Sequence, residues 1–559
     1  MSRARHPSRP FLIGAALAAS LVAPAAAQDP GTILGNAKIT EDVSNFTGDI
    51  QKEDRYGASI AMVGGFLAGG TPGTDVAGES EGGIWMASLT ATGSVTGQHL
   101  ITQGSGGFAG GLGGGDEFGY ALADLGDLDG DLVADLAVGA PGDDDGGADR
   151  GAVYVLFLNA NGTVKSSTKL SDTAGGFAGA LDNGDAFGSS VANLGDVDGD
   201  GNVDLAVGAR LDDDGGSGRG AVWVVYLNAN GTAKGHTKIS ATAGGFGGAL
   251  ANGDEFGSAV AALGDVDGDG VGDLAVGARA DDGGGATAGA VWVLFLDAAE
   301  AVTGQLRIGA GAGGFTGTLG AGDQFGISLA AMGDVDNNGV PDLVAGAPGD
   351  DDGGANRGAA WLLLLEADGS VRAHRKYSET AGGFAPGLAN NDELGRGVAC
   401  LDDMNGDGVM DLALGAHLDD ECNDNYGAIY AMRLDVAPFF DLGGASAGAN
   451  GLPNLSAVGG LTPGSSLQLD VTNAPPNEFM LGWLALFPTS FPAWGGTIHA
   501  LPFTSQFVFI ADAAGSWTAT TTWPLDAPSG IPFVLQFAIQ DLTVRDHLTL
   551  TNGLRAVSR

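Results

Sequence analysis

The chain of 559 residues is short of basic side chains, with 24 Lys and Arg against 68 Asp and Glu and a formal net charge of −44. A field of that sign repels nucleic acid and anionic membrane surfaces, leaving cations, basic proteins and neutral glycans as partners. Cysteine is scarcer still, with Cys400 and Cys422 alone, which excludes a disulfide-dense scaffold or a Cys-rich zinc site. Seven histidines leave little for His-based chemistry. His236 and His374 fall at equivalent places of a repeat and are expected to be exposed on outer strands. No HExxH zinc signature occurs. Nor is any apolar stretch long enough to span a bilayer. The apolar segment 11–22 is too short; it follows Arg3, Arg5 and Arg9 and precedes Ala25, Ala26 and Ala27. That is the pattern of a secretory leader over residues 1–27, cleaved after Ala27.

Glycine is plentiful, at 101 residues, and it punctuates one recurring stretch. Residues 195–209 read GDVDGDGNVDLAVGA, placing Asp196, Asp198, Asp200 and Asp204 at positions 1, 3, 5 and 9 of a short loop. Alternate carboxylates at that spacing fold around one hard cation, with glycines allowing the tight turn. The loop recurs at Asp127, Asp129, Asp131 and Asp135, and at Asp265, Asp267, Asp269 and Asp273. It recurs again at Asp334, Asp336, Asn338 and Asp342, and last at Asp403, Asn405, Asp407 and Asp411. An EF-hand is excluded, because position 12 is Val207 inside an apolar run instead of a bidentate Glu, and no helices flank the loop. Four carboxylates packed without a cation would repel one another, so the expectation is calcium at about five sites.

A Phe-Gly or Leu-Gly pair precedes each loop, ending at Gly119, Gly188, Gly257, Gly326 and Gly395, always 69 residues apart. A fixed period of this size signals a repeat architecture. Lys38 stands as far ahead of Gly57 as Lys238 stands ahead of Gly257, so a further unit begins there. It is seven residues shorter, and the deficit falls between Gly57 and Pro72, where the loop should be. Each unit resolves into four strands: in the second, residues 120–125, 136–138, 152–158 and the short segment 169–171. Asn161-Gly162, Asn230-Gly231 and Asp368-Gly369 join the third strand to the fourth as hairpins. Near-continuous apolar strands imply sheets covered on both faces, as in stacked blades.

Phe-Gly, the DxDxDGxxD loop, and Gly-Ala-Pro at 139–141 and 346–348 together resemble the FG-GAP repeat of integrin α-subunit propellers, over residues 36–436. Arg210, Arg279 and His417 replace the Pro, and Leu132 and Asn337 disturb two loops. The resemblance implies an all-β propeller. Six units favour six blades over the seven of the integrin head, with the segment at Lys38 completing the last blade. It also nominates for ligand binding the face opposite the calcium loops, which carries residues 143–145, 212–214, 281–282, 350–352 and 419–420. Against this stands a plain solvated acidic rim.

Cys400 and Cys422 both fall in the last unit and are expected to form one disulfide, with two free thiols as the alternative. The domains expected are the leader at 1–27, the propeller at 28–436, a linker at 437–454 and a small β-sandwich at 455–559. The last is similar to C-terminal modules of large exported bacterial proteins. The functional expectation is a secreted or surface-attached, non-catalytic, calcium-binding propeller for adhesion or recognition of a protein or glycan. The alternatives are a glycan-degrading or phospholipase-like enzyme and a structural coat protein.

Overall fold

A computed structural model describes residues 31–435, except 337, 385, 405–409 and 421–424, together with strand segments between 440 and 557. The leader, part of the last calcium loop (Asn405 and Asp407) and Cys422 lie outside the described residues. The chain divides into two compact units between Ala437 and Pro438.

The first unit is a six-bladed β-propeller, each blade an antiparallel sheet of four strands, in chain order in five of them. The third blade is typical. Its strands are Phe187–Gly195, Asp204–Ala209, Ala221–Leu227 and Ala233–Ser240, from the axis outward. The second and third strands are buried at nearly every position, because neighbouring blades cover both of their faces. The outer strands are longer than their sequence suggests. In the second blade the strand covers Val164–Leu170, although only its last two residues lie in the expected 169–171 segment. Lys165, Ser166 and Ser167 are exposed and show no apolar alternation. His236 and His374 on these strands are half-buried, not exposed. Their rings lie 5.1 and 5.2 Å from Trp223 and Trp361.

Three devices join the blades. The Phe of each Phe-Gly pair is fully buried, and it stacks on the Phe of the preceding GGF segment at 4.7 Å (Phe108–Phe118) and 4.8 Å (Phe177–Phe187). A glycine ahead of each third strand bridges backbone to the next blade's Phe position, as Gly220 does to Phe256. Gly220 has φ +84, and a Cβ there would lie 2.0 Å from the Phe256 carbonyl oxygen, so only glycine fits. Finally, Ser59, Ser190 and Ser328 each donate from Oγ to the Phe-Gly or Leu-Gly carbonyl of the next blade, those of Gly119, Gly257 and Gly395, at 2.7–2.9 Å.

The ring closes by strand exchange. Thr32–Ile39 pairs with Ala428–Asp435, Lys38 opposite Tyr430, and forms the outer strand of the blade made by Leu394–Leu401 and Asp411–Ala416. Gly427 bridges to Tyr56 of the first blade, completing the circle.

In the second unit the strands Ser466–Thr472, Phe479–Ala485, Ser505–Ile510, Trp517–Thr522, Pro532–Gln540 and Leu548–Leu550 lie within 455–559, the region expected to be β-rich. They join shorter strands in a six-stranded and a three-stranded sheet, beside a two-stranded hairpin.

Candidate functional site

The inner strand of each blade runs from the Phe-Gly end to the loop end, so all the acidic loops emerge on one face of the ring. Carboxylates meet there in four groups: Asp127, Asp129 and Asp135; Asp196, Asp198 and Asp204; Asp265, Asp267 and Asp269; and Asp334, Asp336 and Asp342. Within each group the ligand oxygens lie within 4.8 Å of one another. An all-oxygen set at that separation, with tight glycine turns between its members, fits a calcium ion. Of the sixth blade's ligand set, Asp403 and Asp411 are described.

The four loop positions do different work. Position 1 shapes the loop: the two Asp196 oxygens accept the backbone N–H of Asp200 (2.9 Å) and Gly201 (2.8 Å). Position 9 anchors it. Asp204 is fully buried and accepts from Val197 N–H in the loop (3.1 Å) and Leu227 N–H at the end of the third strand (2.9 Å). The same pair of bonds recurs at Asp135, Asp273, Asp342 and Asp411. Burial pushes Asp135 up to about 6 and Asp342 up to about 7, against the backbone donors that pull the other way.

Position 5 separates the blades. Asp131 and Asp200 are each engaged by a lysine on the outer strand of their own blade. Lys165 Nζ lies 2.6 Å from Asp129 and also contacts Asp131; Lys234 Nζ lies 2.8 Å from Asp198 and also contacts Asp200. In the fifth blade position 5 is Asn338, whose Nδ2 donates to the Leu365 carbonyl at 2.7 Å, and Arg372 contacts Asp336 at position 3. In the fourth blade the equivalent residue is Thr303, and there Asp269 joins the carboxylate group. These cations were not part of the sequence expectation; aligning the outer strands by the 69-residue period would have found them.

The opposite face is acidic in sequence but largely self-satisfied. Asp143 pairs with Lys169 at 2.8 Å, Asp212 with Lys238 at 2.7 Å, Asp350 with Lys376 at 2.8 Å and Asp419 with Lys38 at 2.9 Å. Arg307 serves Asp281. The next acidic residues cap their own loops, as Asp213 Oδ1 accepts from Gly218 N–H at 2.7 Å. The third ones, Asp145, Asp214 and Asp352, accept serine hydroxyls.

A model of the FG-GAP repeat matches residues 187–225, 256–294 and 325–363. The chain is 34% identical to Integrin alpha-PS5 of Drosophila melanogaster over 169 residues, 29% of this chain and 15% of that protein. It is 33% identical to Integrin alpha pat-2 of Caenorhabditis elegans over 241 residues, 42% of this chain and 18% of the relative. With Integrin alpha-V of Gallus gallus it shares 35% identity over 239 residues, 42% of this chain and 20% of the relative. The matches therefore span a fifth or less of these relatives' own lengths. The first unit is an FG-GAP repeat propeller, similar in sequence to integrin α chains over part of its length.

Proposed function

We propose that the protein is an exported, non-catalytic recognition or adhesion scaffold whose propeller is stiffened by calcium and whose ligand docks on the face opposite the calcium loops. The observation that carries this is the segregation of the two faces: four three-carboxylate groups open at one end of the ring, and the other end is left for contact. Asp204 and its equivalents tie each loop to the end of a third strand, so a cation held by that loop also braces the blade edge. A bound calcium ion supplies the positive charge that lets the clustered carboxylates stay together. Extracellular modules of this kind bind calcium at roughly 10⁻⁴–10⁻³ M, a range filled where calcium is millimolar. Titration calorimetry of the mature chain with calcium, followed by capture of calcium-loaded protein on native cell surfaces and glycan arrays, tests both halves. Absence of saturable calcium uptake would refute the first half, and capture insensitive to chelation would refute the coupling.

A further inference from the structure

The end of the ring opposite the calcium loops is lined near the axis by two sets of equivalent positions. Just after the Phe-Gly pair stand Ala58, Tyr120, Ser189, Ser258, Ile327 and Arg396. Just after the second strand stand Pro72, Pro141, Arg210, Arg279, Pro348 and His417. Three arginines thus come from three different blades to positions where the other blades put uncharged residues or His417. They are short of counter-charge. Arg210 Nη1 and Arg279 Nε share one oxygen, Glu255 Oε2, at 2.9 and 2.7 Å. Arg210 Nε is buried with no hydrogen-bond partner. Arg396 reaches across to lie 4.9 Å from the centre of the Tyr120 ring, and donates to the Ala58 carbonyl at 3.3 Å. Around them are the looser pairs Arg55–Glu117 at 3.8 Å and His417–Glu393 at 3.7 Å. Burial holds His417 neutral, its ordinary value lowered well down by desolvation and then by Arg396 and Arg55.

Four arginines therefore face three glutamates, a local positive excess in a chain of net charge −44. The Tyr120 phenol reports the field. Burial raises it, as it raises Tyr56 and Tyr377, yet Arg396, Arg210 and Arg279 together bring it below its ordinary value. Tyr120 and Arg396 also wall an axial cavity of about 70 Å³, together with serines and apolar side chains of the inner strands; Arg210 and Arg279 stand outside its lining. Ser59, Ser190 and Ser328 already donate to inter-blade carbonyls and Ser189 to the Gly208 carbonyl, which leaves the guanidinium groups and the Ser258 hydroxyl as donors with capacity to spare. A planar fork of N–H donors matches a carboxylate, and the space holds a group the size of a few waters.

We propose that this axial mouth is an anion receptor for a single carboxylate, held by Arg210, Arg279 and Arg396 over Tyr120, on a ligand otherwise uncharged. The surrounding acidic loops reject polyanions, so the charge must be isolated. The proposal rests on reading the propeller as a recognition scaffold and names the chemistry of its docking face.

The test is binding of sodium acetate, sodium glucuronate and the uncharged methyl ester of glucuronate to the calcium-loaded mature chain, by calorimetry at fixed ionic strength. Saturable binding of glucuronate, absent for the ester, is expected; tighter binding than acetate would mark a sugar acid, and equal binding a bare carboxylate. The double substitution Arg210→Gln with Arg279→Gln should weaken binding at least tenfold, about the value of one charge-assisted bond. A second readout does not depend on that variant folding. A carboxylate that neutralises the arginines raises the Tyr120 titration, seen in the tyrosinate absorbance of the intact chain and lost in Tyr120→Phe. Equal binding of acid and ester, or no saturable binding with an unmoved tyrosine titration, overturns the receptor. Capture on native surfaces in that case would leave the recognition reading standing.

Discussion

The first and third blades do the same structural job with different ends. In the third, strands Phe187–Gly195 and Asp204–Ala209 are joined by the acidic loop, whose buried Asp204 grips the third strand. In the first, Ile60–Val63 and Phe66–Thr71 are joined by Gly64 and Gly65 alone, both with positive φ, a two-residue hairpin. Yet both blades hook to their neighbours alike at the far end, Ser59 to Gly119 and Ser190 to Gly257. The acidic loop is therefore an attachment to the propeller and not a condition of its topology.

Chelation should break this comparison most strongly. At calcium about 100 times its dissociation constant, each independent site adds about 2.7 kcal/mol, so EDTA should remove that stabilisation at every occupied loop and lower the calorimetric Tm strongly. Hydrogen exchange in EDTA should rise in residues 196–203 and stay nearly unchanged at 61–68 of the first blade. Equal loss in both blades would show the loops to be essential to the ring.

Next in size, Asp204→Ala should cost roughly 2–5 kcal/mol with or without calcium, because it strands the buried Leu227 N–H and the part-buried Val197 N–H. Asp198→Ala should act only when calcium is present. Urea melts of the two variants in both buffers separate an anchor from a ligand; an Asp204→Ala effect seen only with calcium would make position 9 a ligand and nothing more.

A smaller effect sharpens the contrast among the loops themselves. Removing the competing ammonium by Lys234→Thr should tighten calcium at the third blade by roughly three- to tenfold, and Thr303→Lys should weaken the fourth blade by a like factor, as expected for a partly exposed charge. Site-resolved calcium titration by NMR reads both, and identical affinities would show the lysines to be bystanders. Smallest of all, Leu132 is 93% exposed at φ +70, where the other loops carry Gly201, Gly270 and Gly339. Leu132→Gly should stabilise the calcium-loaded chain by about 1 kcal/mol, since a left-handed non-glycine residue is strained. A denaturant midpoint shifted downward would refute it.

The propeller was legible because its signals are local and repeated. The loop spacing, the Phe-Gly period and the Lys38-to-Gly57 interval together gave the blade count and the closing strand. The outer strands were shortened because Lys165–Ser167 face solvent and carry no apolar pattern. The position-5 partners and the axial arginines were harder for a different reason. Lys165 meets Asp131 34 residues away, and Arg396 meets Tyr120 only because the ring brings two distant blades to one axis. Arg210 and Arg279 showed in the sequence as departures from a proline; their shared Glu255 did not.

The exchanged strand sets the order in which the molecule can be finished. Thr40 Oγ1 bonds the carbonyl of Gly427, 387 residues away, and Thr32–Ile39 has its sheet partner at Ala428–Asp435. At roughly 5–20 residues per second of synthesis, the strand waits tens of seconds for that partner. Meanwhile the intervening blades can fold one upon another, each on local contacts. Ring closure is then the single long-range event, slow by loop entropy and late by necessity. Until it occurs the chain displays two raw blade edges, at the first blade and at the last. A half-made ring is thus the species most exposed to pairing with a second copy of itself.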